Sequence, residues 1–424
     1  MTVKKIHYET MNELHQVIKP KRRIFTKTQK NNITPKELKD MDLFIRNSMT
    51  FTKGRFIQSN ITIKDGKIVS LNQAENTAGY PEHDAKGKKV VPGFIDIHTH
   101  GAYNIDINHA SCDDYEKLGQ YFASQGTTSY HASIVTDTEE NTLWCIEQIK
   151  EAMKKNSNGA NILGIHLEGP FLAPGYRGSM AEHLLKKADI ELFKKYYTAS
   201  EGKITYITIS PEIEGAIDFI GEINKMGVVV SVGHSGSDYE TTMKSIKKGA
   251  ASSTHTFNAM KLMHQHFPAI AGAVLESDIY CEAICDGRHL HPAVVRLLIK
   301  TKGLDRVVAV TDSIMATGLP DGEYVLGINK VRVTDGDAKL ISDGTRAGST
   351  LTTINALKNL IKFTGRTLEE IIPLLTSNPA ELMNISDRKG SIEENKDADL
   401  VILDDQLNVQ TTIVGGNIVY NAEE

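Results

Sequence analysis

Eight short apolar runs recur through the middle of this chain, and most are separated by stretches with helical patterning. They are Phe94–His100, Thr127–Val135, Asn161–Glu168, Ile204–Ser210, Val228–His234, Ala251–Phe257, Cys281–Asp286 and Arg306–Asp312. CDDYEKLGQYFASQG, NTLWCIEQIKEAMKK and HPAVVRLLIKTKG are among the intervening segments. Apolar runs alternating with amphipathic helices are the pattern of parallel β/α units. Eight such units predict an α/β fold, a (β/α)8 TIM-type barrel of about 250 residues or more. An open doubly wound sheet is the competing architecture. A dinucleotide fold of that type would carry G-x-G-x-x-G after a strand, and none is present.

The two ends have a different texture. Residues 42–92 hold short β-type runs broken by Lys-Gly and Asp-Gly turns, and residues 388–424 repeat that texture in ADLVILDDQLNVQTTIVGGNIVY. A small β-sandwich domain formed by both chain ends (42–92 and 388–424) is expected around a hydrolase barrel spanning 93–387. Residues 1–41 read as a polar N-terminal extension. Its basic cluster Lys19 to Arg23 is a solvated segment before it is a contact patch. A net charge of −5 and a pI near 6.3 give no electrostatic reason to expect nucleic acid. No run of about 18 apolar residues predicts a membrane span, and the first residues lack the apolar stretch of a secretory signal. Cys112, Cys145, Cys281 and Cys285 are scattered and read as reduced thiols, which suits a cytoplasmic location.

Polar residues collect where the apolar runs end. The first run closes on His98 and His100, the third on Glu168, the fifth on His234 and the eighth on Asp312, while the sixth contains His255. In a (β/α)8 barrel the C-terminal strand ends converge on the face where active sites are built. His98 and His100 are two residues apart, so on a strand both imidazoles share one side. Imidazole and carboxylate together suit zinc and similar divalent ions. His131 and His166 read as core histidines satisfied by hydrogen bonds, with His166 also on the strand side of Glu168. Asp96 is placed to orient His98. His109, His183 and His264 have no strand-end position and read as solvated.

The runs VVPGFIDIHTHG, GIHLEGPFLAP, VGHS, THTFNAM, CDGRHLHP, AVTDS and AGSTLTT, in this order across residues 42–424, resemble the N-acetylglucosamine-6-phosphate deacetylases of the amidohydrolase superfamily. The resemblance implies a barrel enzyme that binds one or two divalent ions. Zinc is the first choice; iron, manganese and cobalt are the others. It further implies that Glu168, His234 and His255 hold the main ion, that His98 and His100 permit a further one, and that Asp312 is the catalytic acid/base. Asn258 and Ala259 match contacts to a sugar phosphate. His289, beside Arg288, matches a phosphate contact donated by a neighbouring subunit, which implies a homodimer. Arg346, Ala347 and Gly348 match a loop over the sugar.

Three positions depart from the family pattern. Ser179 and Met180 stand where a Gly-Ala-His sequence supplies a substrate-touching histidine. His266 stands where an arginine holds the phosphate, and Arg346 replaces an apolar residue. Arg346, Arg288 or Arg177 could compensate, since guanidinium binds phosphate oxygens in pairs. The implied reaction is deacetylation of N-acetylglucosamine-6-phosphate to glucosamine-6-phosphate and acetate. Alternatives are an amidohydrolase for another N-acyl amino sugar or a cyclic amide, and a sugar-binding protein without activity, which would be expected to have lost Asp312 or a ligand.

Overall fold

The computed structural model describes residues 42–71, 79–155 and 157–423. The N-terminal extension and its basic cluster lie outside them.

Eight parallel strands form one sheet in strictly sequential order: β1 (Phe94–Thr99), β2 (Thr127–Val135), β3 (Asn161–Glu168), β4 (Ile204–Ile209), β5 (Val229–Val232), β6 (Ala250–Ser253), β7 (Tyr280–Ile284) and β8 (Val307–Val310). Its two edges meet just beyond the strand ends. Asp312 N–H donates to the His98 carbonyl and His100 N–H to the Ser313 carbonyl, both at 2.8 Å. These bonds close the sheet into the expected barrel and bring the ends of β1 and β8 together.

The strands read as continuous apolar runs because helices cover their outer faces while side chains fill the barrel. Helix starts are set by capping chemistry. Thr138 accepts from Asn141 N–H ahead of Glu139–Lys154, Asp189 from Leu192 N–H ahead of Ile190–Ala199, and Asp238 from Thr241 N–H ahead of Tyr239–Lys247. Each such cap contributes about 1 kcal/mol.

The chain ends build a second sheet. Its order is Asn417–Asn421, Val409–Val414, Leu400–Leu403, Lys89–Pro92, Leu43–Thr52, Arg55–Lys64, Lys67–Leu71, with Glu82–Asp84 also on Leu43–Thr52. Alternation along its central strands fills two cores. Val91, Val401 and Leu403 join the barrel's core, whereas Val90, Leu400 and Ile402 pack with Ile45, Ile61 and Ile413 on the other face. The junction directly precedes β1, so this sheet fixes where the His98 strand enters the barrel.

A three-stranded antiparallel sheet, Gly322–Leu326, Asn329–Thr334 and Asp337–Leu340, follows β8 and has its own small core around Val331 and Val333. The sequence reading did not identify it. Among the described residues no helix is long and apolar enough to cross a membrane.

Candidate metal centre and its rim

Five ligand-type side chains converge at the C-terminal mouth of the barrel, all buried. One group is His98, His100 and Glu168; the other is Glu168, His234 and His255. Within each group the ligand atoms lie within 4.8 Å of one another. Glu168 is common to both. Its Oε1 is 3.1 Å from Nε2 of both His234 and His255, and its Oε2 is 3.2 Å from His100 Nε2. His98 and His100 present Nε2 atoms 3.1 Å apart, and those of His234 and His255 are 3.0 Å apart.

The hydrogen bonds behind the rings say which nitrogen faces the centre. His100 Nδ1 lies 3.0 Å from the Ser133 carbonyl and His234 Nδ1 lies 2.8 Å from the Tyr176 carbonyl. A carbonyl only accepts, so each Nδ1 carries a proton, and each Nε2, once deprotonated, presents its lone pair to the centre. Lone pairs aimed at one another and at a carboxylate across about 3 Å repel unless a cation lies between them. Donors about 2.1 Å from a tetrahedral ion are about 3.4 Å apart. The donor types and their spacing therefore fit a divalent cation.

Backbone conformation aims three of these groups. His234, His255 and Asp312 have φ of +48°, +30° and +50°, each just past the end of its strand. Left-handed backbone at a non-glycine residue costs on the order of 1–3 kcal/mol, and such residues gather at functional sites. Turning the chain there points each side chain inward rather than along the strand.

Asp312 closes the ring of polar groups. Its Oδ1 is 3.2 Å from His100 Nε2 and 3.6 Å from His98 Nε2. Burial alone would raise its pKa, but the adjacent histidines, His100 first, hold it below the ordinary value. Burial likewise opposes charge on His100, yet its bonds to Asp312 and Glu168 raise its pKa from 6.5 to about 9. His98 is raised in the same direction against burial, mainly by Glu282 and Glu168. A proton and a divalent ion thus compete for the same nitrogens.

The sequence profile of the amidohydrolase family matches residues 89–419. The chain belongs to the amidohydrolase family. The N-acetylglucosamine-6-phosphate deacetylase of Lysinibacillus sphaericus is 34% identical over 380 residues, 89% of this chain and 98% of the relative. The N-acetylgalactosamine-6-phosphate deacetylase of Escherichia coli O157:H7 is 30% identical, covering 84% and 94% respectively. The crystal structure of N-acetylglucosamine-6-phosphate deacetylase from Pasteurella multocida superimposes with a TM-score of 0.83 at 29% identity, over 89% of this chain and 99% of that one.

This amidohydrolase's rim residues are arranged as follows. Asn258 is half-buried and its Nδ2 donates to the His255 carbonyl at 3.1 Å, while the Ala259 carbonyl accepts from Ser235 N–H. That pair of bonds ties the Asn-Ala turn to both metal-facing histidine loops. Gly178 lies against the His234 ring: a Cβ there would sit 3.2 Å from Cε1. Ser179 and Met180 follow directly, with Met180 buried. Gly348 has φ +63°, and a Cβ there would fall 2.5 Å from Ile314 Cγ2 and 2.9 Å from the Asp312 carbonyl. Ala347 is buried beside it.

The three candidate arginines and His289 all have protein partners. Arg346 grips both oxygens of Asp337 at 2.8 and 3.1 Å. Arg288 donates to the Asp335 carbonyl, and Arg177 to the Pro174 carbonyl. His289 Nδ1 lies 2.7 Å from Asp286 Oδ2. His266 is exposed on the segment 261–267.

Two expectations are refined. Asp96 is hydrogen-bonded to the His98 backbone rather than to its ring: it accepts from the His98 N–H at 3.3 Å and from the Thr311 hydroxyl at 2.6 Å, joining β1 to β8. His166 is bonded by Ser133 and Thr208 at 2.9 Å each and packs against His98 with ring centroids 4.6 Å apart. The partner of His98 Nδ1 is Glu282, 2.9 Å away on β7 and fully buried. Sequence reading passed over it inside an apolar run, although a carboxylate inside such a run is itself a signal, since glutamate is almost never fully buried unless paired.

Proposed function

We propose that this chain hydrolyses the acetamide of N-acetylglucosamine-6-phosphate, giving glucosamine-6-phosphate and acetate. The observation that carries the reading is the convergence of five buried ligand atoms with Asp312 at their edge. The activities of the deacetylases it resembles agree with it. Glu168, His234 and His255 would hold the main divalent ion and His98 with His100 a further one, zinc first and iron, manganese or cobalt next.

An amide is a weak electrophile and water a weak nucleophile near neutral pH. A cation in this centre would lower the pKa of its water toward about 7 and polarise the amide carbonyl. Asp312, ionised at neutral pH, would take the proton from the attacking water and deliver it to the nitrogen as the C–N bond breaks. The new C–O bond leaves with acetate and the protonated nitrogen with the sugar. Ser179, Met180, Asn258, Ala259, His266, Arg288 and His289 are the proposed sugar and phosphate contacts, with Arg346, Ala347 and Gly348 lying over the sugar. His289 would act on the site of a second copy, in a homodimer. Four cysteines without a disulfide support a cytoplasmic setting.

N-acetylgalactosamine-6-phosphate is the second reading. An N-acetylgalactosamine-6-phosphate deacetylase matches 84% of the chain, and Met180 and His266 alter two expected contacts. Acetate release from both N-acetylhexosamines, each with and without the 6-phosphate, tests the proposal. No release from any of them would end it, and a preference for the galacto sugar would select the second reading.

A further inference from the structure

On the Nδ1 side of His98, behind the converging ligand atoms, a second carboxylate besides Glu168 touches both ligand groups. Glu282 Oε2 is 2.9 Å from His98 Nδ1 and accepts the His255 backbone N–H at 2.9 Å. Its other oxygen accepts the Tyr206 hydroxyl at 2.6 Å. The side chain is fully buried. Isolating a carboxylate in such surroundings is costly, so three donors on two oxygens are what makes its charge tolerable.

The partners of the other rings provide the contrast. His100 and His234 each direct Nδ1 at a neutral backbone carbonyl, and His255 Nδ1 has no hydrogen-bond partner among the described residues. Only His98, among the four, has a carboxylate behind it. A carboxylate draws on the Nδ1 proton more strongly than a carbonyl does. That fixes the tautomer, locks the ring orientation and makes the opposite nitrogen the stronger donor.

We propose that Glu282 is a positioning residue for the metal centre: it strengthens His98 as a ligand and, through the His255 amide, holds the two ligand groups in register. Glu168 joins the groups in front and Glu282 joins them behind. The proposal rests on the reading of Glu168 and the four histidines as metal ligands.

The test uses the full chain, stripped of metal and reloaded with zinc or cobalt. Glu282→Gln keeps the side chain's size and an oxygen able to accept from both His98 and His255; it removes the charge and turns an NH2 donor toward the Tyr206 hydroxyl, which can rotate to accept from it. Its expected affinity for zinc, measured against a chromogenic chelator, is about 10- to 100-fold below wild type. Its cobalt form should show an altered visible absorption band. The metal-free variant should keep the circular dichroism spectrum of wild type. Unchanged affinity and an unchanged cobalt band would overturn the proposal.

A second measurement stands if the variant does not fold. In zinc-loaded wild-type protein with nitrogen-labelled histidine rings, one Nδ1 proton should resonate clearly downfield of the others, as a carboxylate partner demands. Similar shifts for all of them would overturn the assignment. Metal content of the wild-type protein is read separately. If it binds no cation, the ligand reading itself fails, whatever Glu282 does.

Discussion

Asp312 Oδ1 stands 3.2 Å from His100 Nε2, the closest approach between the acid/base candidate and an imidazole of the metal centre. The contact holds the carboxylate ionised and aimed at the point where the ligands converge. Asp312→Asn preserves shape and removes the basic oxygen. The expected result is metal content near wild type with turnover lowered by about 10²–10⁴, the usual contribution of a positioned acid/base. Acetate release paired with elemental analysis checks both halves, and turnover close to wild type would remove the assignment.

Glu168 is the only side chain present in both ligand groups. Its loss should therefore strip the site rather than weaken one corner of it. Glu168→Ala is expected to reduce bound metal by at least the 10- to 100-fold or so that loss of an outer partner costs. Undiminished metal by elemental analysis would contradict the shared-ligand reading.

Gly348 turns the chain where Ser349 N–H donates to the Asp312 carbonyl at 2.7 Å. Alanine would meet Ile314 Cγ2 and that same carbonyl, and would have to hold a positive φ. Moving Asp312 by a fraction of an ångström is enough to matter, since small misplacements of a reacting group cost on the order of 10²-fold. Gly348→Ala should lower kcat by roughly that factor while the histidine and glutamate ligands keep their metal. A variant with kcat unchanged would show that the turn tolerates a side chain.

Arg346 spends its planar fork on Asp337, whose pKa is pulled down to about 2, chiefly by that bond. An arginine so matched has little charge left for a phosphate. Arg346→Ala is therefore expected to change kcat/KM for phosphorylated and plain N-acetylhexosamine by the same factor. A loss confined to the phosphorylated substrate would restore Arg346 as a phosphate ligand.

The barrel was legible for a physical reason. Parallel strands buried on both faces are apolar or small and almost free of charge, so their runs stand out without any alternation. β2 and β3 match their predicted limits, while β5 and β6 stop at Val232 and Ser253, short of the predicted His234 and Phe257. Those tails leave the sheet because His234 and His255 turn into positive φ, and residue type does not announce that for histidine. The Gly322–Leu340 sheet was missed although its strands alternate exposed and buried positions, as in Asn329–Thr334. Such short period-two segments are a weaker signal than the continuous apolar runs of the barrel. Glu282 was hidden because its partners, His98, His255 and Tyr206, come from three other strand regions, and only the closed barrel brings them together.

The basicity of His100 makes metal binding depend on pH. Its pKa in the cation-free fold is raised from 6.5 to about 9. A folded-state value above the unfolded one contributes stability that is complete below about 6.5 and is lost as pH rises through about 9. The cation-free protein should therefore lose stability across that window. A metal ion needs the same nitrogen unprotonated, so its apparent affinity should rise over the same window and level off above about 9. Because a bound ligand stabilises by an amount that grows with [L]/Kd, the gap in Tm between zinc-loaded and cation-free protein should widen from pH 6.5 to 9. Thermal melts of both forms at fixed free zinc check this. A gap that stays constant or narrows with pH would mean that no proton is displaced from His100 when the metal binds.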